Sequence, residues 1–174
     1  LRAILDASPV GISVIDPRTK QRRYVNPRYL ELMGAASADE LDSQSAAETF
    51  ADPRDLARLD ARLDAGETFA DVEVARKRLD GTTWWCLVSS TIADYEGQRS
   101  YILSNFDISD RKRAEDELKS TEANLRLAMD NMPGGIAVWG TNNELIVCND
   151  KYVELFDFPK DLVVPGVPVS DLIR

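Results

Sequence analysis

The chain alternates apolar and polar residues in five short stretches, and this alternation predicts five β-strands. Residues 10–16 place Val and Ile against Gly and Ser, which is the pattern of a half-buried strand, and residues 22–25 follow after a turn. Three longer strands are predicted over residues 69–79, 83–93 and 100–108, separated by Asp-Gly and Glu-Gly turns.

Helices are predicted between the second and third strands. Asn26-Pro27 and Asp52-Pro53 each place a preferred N-cap residue before a proline at the first helical position. Leucines recur at helical spacing after the second of these starts, which predicts an amphipathic helix. Helices grouped between two sets of strands predict an α+β fold, in which a five-stranded antiparallel sheet carries the helices on one face.

The long central strand is apolar on both sides, so both of its faces are expected to be covered. The face predicted to look onto the helices carries Trp84, Cys86, Val88 and Ser90. The opposite face, with Trp85 and Leu87, is predicted to contact a flanking helix or a second subunit.

The beginning of the chain recurs further along it. Residues 1–14 align with residues 125–138, with Leu, Arg, Asp, Pro, Gly, Ile and Val at matching positions. Self-similarity with so long a period indicates two copies of one domain. We therefore predict a complete domain over residues 1–108, a helix over residues 109–130 and the N-terminal half of a second domain over residues 131–174. Because half a domain is not expected to be stable alone, this last part is predicted to belong to a longer parent chain.

Charge narrows the partners that the chain is expected to have. The formal net charge is −9, which argues against nucleic acid and against an anionic membrane, because both select for basic surfaces. No apolar run is long enough to span a bilayer. The expected location of this segment is the cytoplasm.

Several kinds of chemistry lack the residues they need. The chain has no histidine, which excludes a His-ligated haem, the usual zinc sites and a Ser-His-Asp triad. Neither a metal-ligand cluster nor a phosphate-binding glycine loop is present, so this segment is not expected to be an enzyme. Cys86 and Cys148 lie far apart in predicted strands and are expected to be buried thiols in a reducing compartment.

Several motifs of the chain resemble those of the PAS family of sensor domains. They are Asn26 before the first core helix, the Asp80-Gly81 turn ahead of a Trp-bearing strand, and Asp-Tyr-Glu-Gly at residues 94–97. The most specific stretch, residues 107–118, reads Asp-Ile-Ser-Asp-Arg-Lys-Arg-Ala-Glu-Asp-Glu-Leu. It is similar to the Asp-Ile-Thr linker signature that ends PAS domains in bacterial signalling proteins. The resemblance covers the whole first copy and part of the second.

The resemblance implies a sensor in a signal-transduction protein, with an output domain downstream in the same chain. That output would be a histidine kinase of a two-component system, a nucleotide cyclase or a cyclic-di-GMP enzyme. It also implies a homodimer that forms through the linker helix and a flanking helix of the domain. The alternative is a structural spacer and dimerisation unit that binds no ligand.

PAS domains resemble one another in fold more than in ligand, and they hold haem, flavin, small acids or nothing between sheet and helices. A His-ligated haem is excluded by composition. A cysteinyl flavin is excluded on the ground that no Asn-Cys-Arg triplet occurs and that Cys86 lies on a strand. A small organic ligand and an empty, packed core both remain open. The candidate ligand contacts, each with simple core packing as its alternative, are Trp84, Cys86, Val88, Ser90, Val74 and Phe50.

The linker helix carries a weak heptad pattern. Leu118, Leu125 and Met132 recur every seven residues, which predicts a parallel coiled coil between two subunits. The alternative is a solvated connector helix whose apolar stripe packs on its own sheet.

The junction between the last strand and this helix is predicted to couple the two elements. By resemblance, Asp107 would pair with Arg111 or with an equivalent base near the start of the helix, and Ser109 would bond to the backbone. These contacts would fix the angle between strand and helix, so that a change in the domain would be passed along the chain.

Overall fold

A computed structural model describes residues 2–159 and 162–172. The chain divides into two compact units, Leu1–Arg113 and Ala114–Arg174. Five residues that fall within the predicted domains, at positions 1, 160, 161, 173 and 174, lie outside the described residues. Within the described ranges, no helix is both long and apolar enough to cross a membrane.

The first unit contains a five-stranded antiparallel sheet in the order β2-β1-β5-β4-β3. The hairpin of β1 and β2 forms one side of the sheet. The three long strands that the sequence predicts, β3, β4 and β5, form the other side, and β5 pairs with β1. The α+β prediction is therefore confirmed. The strands are β1 Gly11–Ile15, β2 Arg22–Val25, β3 Phe69–Lys77, β4 Thr83–Tyr95 and β5 Gln98–Asp107.

Short helices connect β2 to β3, and a further helix precedes β1. The predicted N-caps are in place, because the Asn26 side chain accepts from the amide of Tyr29 and the Asp52 side chain accepts from the amide of Arg54. The helical elements are α1 Arg2–Asp6, α2 Pro27–Met33, α3 Ala38–Asp42, the 3₁₀ turn Ala46–Thr49 and α4 Pro53–Asp64.

The main core of the first unit lies between these helices and one face of the sheet. On β4, the inward residues are buried as predicted, and they are Trp84, Cys86, Val88 and Ser90. The outward face is only partly covered. Trp85 is 38% exposed, and the ammonium group of Lys112 lies 5.0 Å from the centre of its ring.

Helix α5, Ser109–Asn131, starts two residues after the end of β5. It begins in the first unit and continues along the chain into the second. The two expected boundaries, at residues 108 and 130, stay predictions.

The second unit repeats the start of the first on a smaller scale. A two-stranded antiparallel sheet is followed by a short helix whose N-cap, Asn149, accepts from the amide of Tyr152. The elements after α5 are β6 Ala137–Trp139, β7 Leu145–Cys148, α6 Asp150–Leu155 and α7 Val169–Leu172.

Candidate functional site

A cavity of about 470 Å³ lies in the first unit between the helices and the inward face of the sheet. Its size falls in the range of small-molecule sites, which spans about 300–1,000 Å³. Much of its wall is apolar, and the aliphatic and aromatic residues that line it include Ile15, Phe50, Leu56, Leu59, Leu63, Phe69, Val88 and Leu103.

One buried cation interrupts this apolar wall. Arg76 on β3 is only 6% exposed, because strand alternation places it on the same inward face as Val74. Its Nε donates to the carbonyl oxygen of Thr49 at 3.0 Å, and its Nη2 donates to Thr49 Oγ1 and to the Tyr29 hydroxyl, both at 3.1 Å. The guanidinium also stacks 4.3 Å from the centre of the Phe50 ring.

The mouth of the cavity carries charges of both signs. Arg22 bonds to Asp42, and Lys20 Nζ lies 2.7 Å from Asp64 Oδ1, although it is not aligned for a hydrogen bond. Burial raises the pKa of the Asp60 carboxyl, and the positive charge of Lys20 opposes that rise. The mouth is therefore charged, whereas most of the buried lining is apolar, with Ser13, Arg76 and the partners of Arg76 as its polar members.

The six predicted ligand contacts are all buried, but only two of them line this cavity. Those two are Val88 and Phe50. Ser90 instead accepts a hydrogen bond from the amide of Phe69 at 3.0 Å. The remaining three, Trp84, Cys86 and Val74, are packed in the core. Whether any of the six binds a ligand stays a prediction.

The sequence analysis missed the polar part of the cavity, which consists of Arg76, Tyr29 and Thr49. A signal for Arg76 was available, because period-2 alternation from Val74 assigns it to the buried face. Tyr29 and Thr49 carry no such signal, since their approach to Arg76 depends on how the helices pack on the sheet.

The thiol of Cys86 is enclosed in the core. Its Sγ lies 3.5 Å from Asn105 Oδ1, and burial raises its pKa to about 12. At neutral pH it is therefore a protonated, weakly nucleophilic thiol.

The junction of β5 and α5 is held by the peptide of Trp85 on the neighbouring strand β4. The amide of Ile108 donates to the Trp85 carbonyl oxygen at 2.9 Å, and the Trp85 amide donates to Ser109 Oγ at 3.0 Å. The expected bond of Ser109 to the backbone is thus present. Asp107 Oδ1 accepts from the Ser109 amide at 2.8 Å, which caps the first turn of α5.

The expected pairing of Asp107 with Arg111 is wrong. Asp107 Oδ2 lies 3.5 Å from Arg78 Nη2 on the chain segment after β3, whereas Arg111 bonds to Glu73 at 2.5 Å. Lys112 bonds to the same carboxylate, and together these two cations lower the pKa of Glu73. The sheet therefore holds the start of α5 through β3 as well as through β4.

A PAS-fold family model matches residues 1–107, and a second PAS-fold model matches residues 129–174. The first match covers more than half of the chain, so the chain belongs to the PAS family. Domains of this family are generally sensory and non-catalytic, and they commonly dimerise within multidomain signalling proteins. No curated protein matches the chain.

Solved structures share the fold at low sequence identity. An RNA-binding light-oxygen-voltage receptor matches with a TM-score of 0.56 and 20% identity, over 70% of this chain and 36% of that chain. A light-oxygen-voltage domain studied with a flavin analogue matches with a TM-score of 0.51 and 22% identity, over 70% and 93%. A PAS domain from Desulfitobacterium hafniense matches with a TM-score of 0.50 and 15% identity, over 60% and 98%. The chain thus spans little more than a third of the receptor's length.

These neighbours overturn one expectation drawn from the sequence. The exclusion of the cysteinyl-flavin type is wrong, because this chain shares its fold with light-oxygen-voltage proteins, one of which was studied with a flavin analogue. The missing Asn-Cys-Arg triplet therefore does not exclude flavin, since a ligand is held by the shape and polarity of a cavity as well as by one motif. One neighbour also binds RNA, so the expected absence of a nucleic-acid partner stays a prediction.

Proposed function

We propose that this chain is the sensory and dimerisation module of a signalling protein and relays the state of its first unit through α5 to an output domain. The observation that carries the proposal is the pair of hydrogen bonds that join the backbone of Trp85 to Ile108 and Ser109. A displacement of the central strand β4 would move the first residues of α5 with it, because both backbone groups of Trp85 are engaged there.

The cavity supports sensing over a ligand-free spacer. The cavity of about 470 Å³ opens at its charged mouth and has the size of a small-molecule site. It adjoins β3 and β4, the two strands that also hold the start of α5. A ligand in the cavity would thus act on the same strands as the junction.

Flavin is among the ligands to be tested. The light-oxygen-voltage proteins that share the fold motivate titration of the purified chain with flavin mononucleotide, followed by absorbance spectroscopy of the repurified protein. A bound flavin would make this a flavin-dependent sensor.

Dimerisation through α5 is the second part of the proposal. Leu118 and Leu125 are 60% and 58% exposed, and their seven-residue spacing suits a coiled-coil seam. Leu118→Asp is expected to convert a dimer to a monomer in light scattering after size-exclusion chromatography. Leu127→Asp is the matched control, because Leu127 is 61% exposed on the same helix but lies outside the heptad column. A dimer that survives Leu118→Asp would contradict this part.

The relay is tested in the parent protein. Asp107→Ala removes the cap of the first turn of α5 and the contact with Arg78, but leaves the core intact. We expect the variant to fold normally, as judged by circular dichroism, while its output no longer responds to the signal. A normal response would overturn the relay. The output domain proposed for the parent is a histidine kinase, a nucleotide cyclase or a cyclic-di-GMP enzyme.

A further inference from the structure

The guanidinium of Arg76 has hydrogen-bonding capacity that the protein leaves unused. Its Nε and Nη2 donate to Thr49 and Tyr29. Within residues 2–159 and 162–172, its Nη1 donates to no protein atom. The Tyr29 hydroxyl accepts from Arg76 and donates to no atom in the same described ranges. Two donor groups therefore stand side by side at the wall of the cavity, because both residues line it.

Arg76 also lacks a counter-charge. In the described part of the chain, no carboxylate lies within 4.0 Å of its guanidinium, whereas Arg22 on the same cavity pairs with Asp42. Removing a cation from water without an anion to pair with it costs several kcal/mol. The hydroxyls and the Phe50 ring offset only part of that cost, so an anion beside Arg76 would stabilise the site.

The rest of the interior is suited to hydrocarbon. Leu59, Leu63 and Phe69 are each 5% exposed and line the cavity with Leu103 and Val88. Such a surface favours a ligand whose apolar body it removes from water. A ligand that is anionic at one end and apolar along its body would complement both parts of the cavity.

We propose that the cavity binds an organic monocarboxylate, whose carboxylate accepts hydrogen bonds from Arg76 Nη1 and the Tyr29 hydroxyl and whose hydrocarbon body lies against the leucines. This inference deepens the proposed function, on which it rests, because it names the class of ligand that the first unit senses. Binding can be measured without reference to the relay, so the two ideas can fail separately.

The test is isothermal titration calorimetry of the whole 174-residue chain with the sodium salts of acetate, butyrate, octanoate and dodecanoate. We expect at least one of the longer salts to bind, with affinity rising with chain length until the cavity is full. The alcohol of the same length is expected to bind about tenfold more weakly or worse, because it lacks the charge that pairs with Arg76. Inorganic phosphate is expected not to bind, since it has no apolar body. The proposal is overturned if no member of the series binds, or if phosphate binds as well as the best carboxylate.

Variants distinguish the contribution of the Arg76 charge to binding from that of the apolar cavity wall. Arg76→Gln is expected to abolish carboxylate binding, and Tyr29→Phe to weaken it about tenfold. Arg58→Gln is the matched control, because this arginine is exposed, pairs with Asp55 and does not line the cavity. The affinity of this variant for the carboxylate should stay within about twofold of the wild type. Equal affinity of wild type and Arg76→Gln would overturn the proposal.

A fourth variant serves in case Arg76→Gln fails to fold. Leu56→Trp places a larger side chain in the cavity from the half-buried face of α4 and leaves Arg76 unchanged. It is expected to raise the melting temperature and to lose carboxylate binding. Carboxylate binding at wild-type affinity by folded Leu56→Trp would show that the ligand lies elsewhere.

Discussion

The two copies of the repeated sequence share a buried asparagine after their first two strands, and they differ in the elements that follow it. Asn26 Oδ1 accepts from the amides of Ile12 and Tyr29 at 2.7 and 2.9 Å. Its Nδ2 donates to the carbonyl oxygens of Leu5 and Val10 at 3.0 and 2.9 Å. One side chain thus joins the helix before β1, the start of β1 and the start of α2.

Asn149 makes the equivalent four bonds in the second copy. Its Oδ1 accepts from Ile136 and Tyr152 at 2.8 and 3.0 Å, and its Nδ2 donates to Met129 and Gly134, both at 2.9 Å. Both asparagines are at most 1% exposed. Every bond in each network joins residues at most 21 positions apart, so the network can form from the first part of the domain alone.

The copies differ in the elements that come after the asparagine. In the first copy, β3, β4 and β5 contribute Arg76, part of the cavity wall and the contacts that fix the start of α5. In the described part of the second, the sheet has two strands, β6 and β7. The first part of each copy, up to the asparagine and the helix that it caps, is therefore shared. Arg76 and the junction at Ser109, on which the proposed sensing and relay depend, belong to the later elements of the first copy. Tyr29 and Thr49 approach Arg76 from the earlier helical elements.

The largest effect is expected from removing the asparagine of the first copy. Asn26→Ala removes four hydrogen bonds, although the Tyr29 amide still bonds to the carbonyl oxygen of residue 26 and the Leu5 carbonyl oxygen still accepts from the Ser8 amide. The Ile12 amide and the Val10 carbonyl oxygen lose the bonds described above, and a buried group left unpaired costs about 1–3 kcal/mol. We expect the free energy of unfolding of the first unit to fall by roughly 4 kcal/mol in urea denaturation followed by circular dichroism. Asn26→Asp keeps the acceptor but places a buried carboxylate oxygen against the carbonyl oxygens of Leu5 and Val10, so it should destabilise the unit at least as much as Asn26→Ala. A loss below about 1 kcal/mol for Asn26→Ala would show that the shared network is not what stabilises the copy.

The next largest loss of stability is expected when a glycine close to either asparagine network is replaced by alanine. A Cβ on Gly135 would lie 2.8 Å from Tyr152 Cα, which is backbone, whereas a Cβ on Gly11 would lie 2.7 Å from the end of the Leu32 side chain. We therefore expect Gly135→Ala to cost about 2–3 kcal/mol and Gly11→Ala about 1–2 kcal/mol. Urea denaturation of both variants is the measurement.

Gly134→Ala is the control for Gly135→Ala, because nothing lies within 4 Å of a Cβ at that neighbouring position. It should be tolerated. If Gly134→Ala and Gly135→Ala destabilised equally, the close backbone approach would not be the cause.

A smaller effect is expected at the junction with α5. Ser109→Ala removes the acceptor of the Trp85 amide and should cost about 1 kcal/mol. The more specific readout is hydrogen exchange of the Trp85 amide by NMR, which should become faster. Ser109→Thr keeps the hydroxyl and is expected to restore slow exchange. Unchanged exchange in Ser109→Ala would mean that another group protects this amide.

The two thiols should differ in reactivity without any effect on stability. The raised pKa of Cys86, about 12, leaves about one thiol in ten thousand ionised at pH 8. Cys148 is half-buried, and burial also raises its pKa. A disulfide reagent at pH 8 is expected to label Cys148 first and Cys86 only after unfolding in urea. Faster labelling of Cys86 would contradict its burial.

The sequence predicted the features that depend on local pattern. Strand alternation correctly assigned Trp84 and Val88 to the inward face, and the N-cap preference of asparagine marked the start of α2. The bond of Ser109 to the backbone was also expected. For the strand faces and the N-cap, the signal lies within a few residues of the feature, as local rules require. The Ser109 bond was expected from the family resemblance, because its partner Trp85 lies 24 residues away.

The features that the sequence missed depend on contacts between distant segments. The partner of Asp107 is Arg78, 29 residues away, and only the arrangement of the sheet brings them together. The cavity depends on how α4 and the 3₁₀ turn pack over Arg76. The flavin exclusion failed because it inferred the absence of a ligand from the absence of one motif. The coiled coil stays a prediction, since it depends on a second chain.

Hydrogen–deuterium exchange tests most directly whether the state of the cavity reaches α5. The cavity is filled in two ways, by octanoate and by Leu56→Trp, in wild type and in Asp107→Ala. We expect slower exchange of amides in β3 and β4 in both backgrounds. Amides 109–113 should respond in the wild type and not in Asp107→Ala. The relay is contradicted if filling the cavity leaves these amides unchanged in the wild type, or changes them equally in both backgrounds.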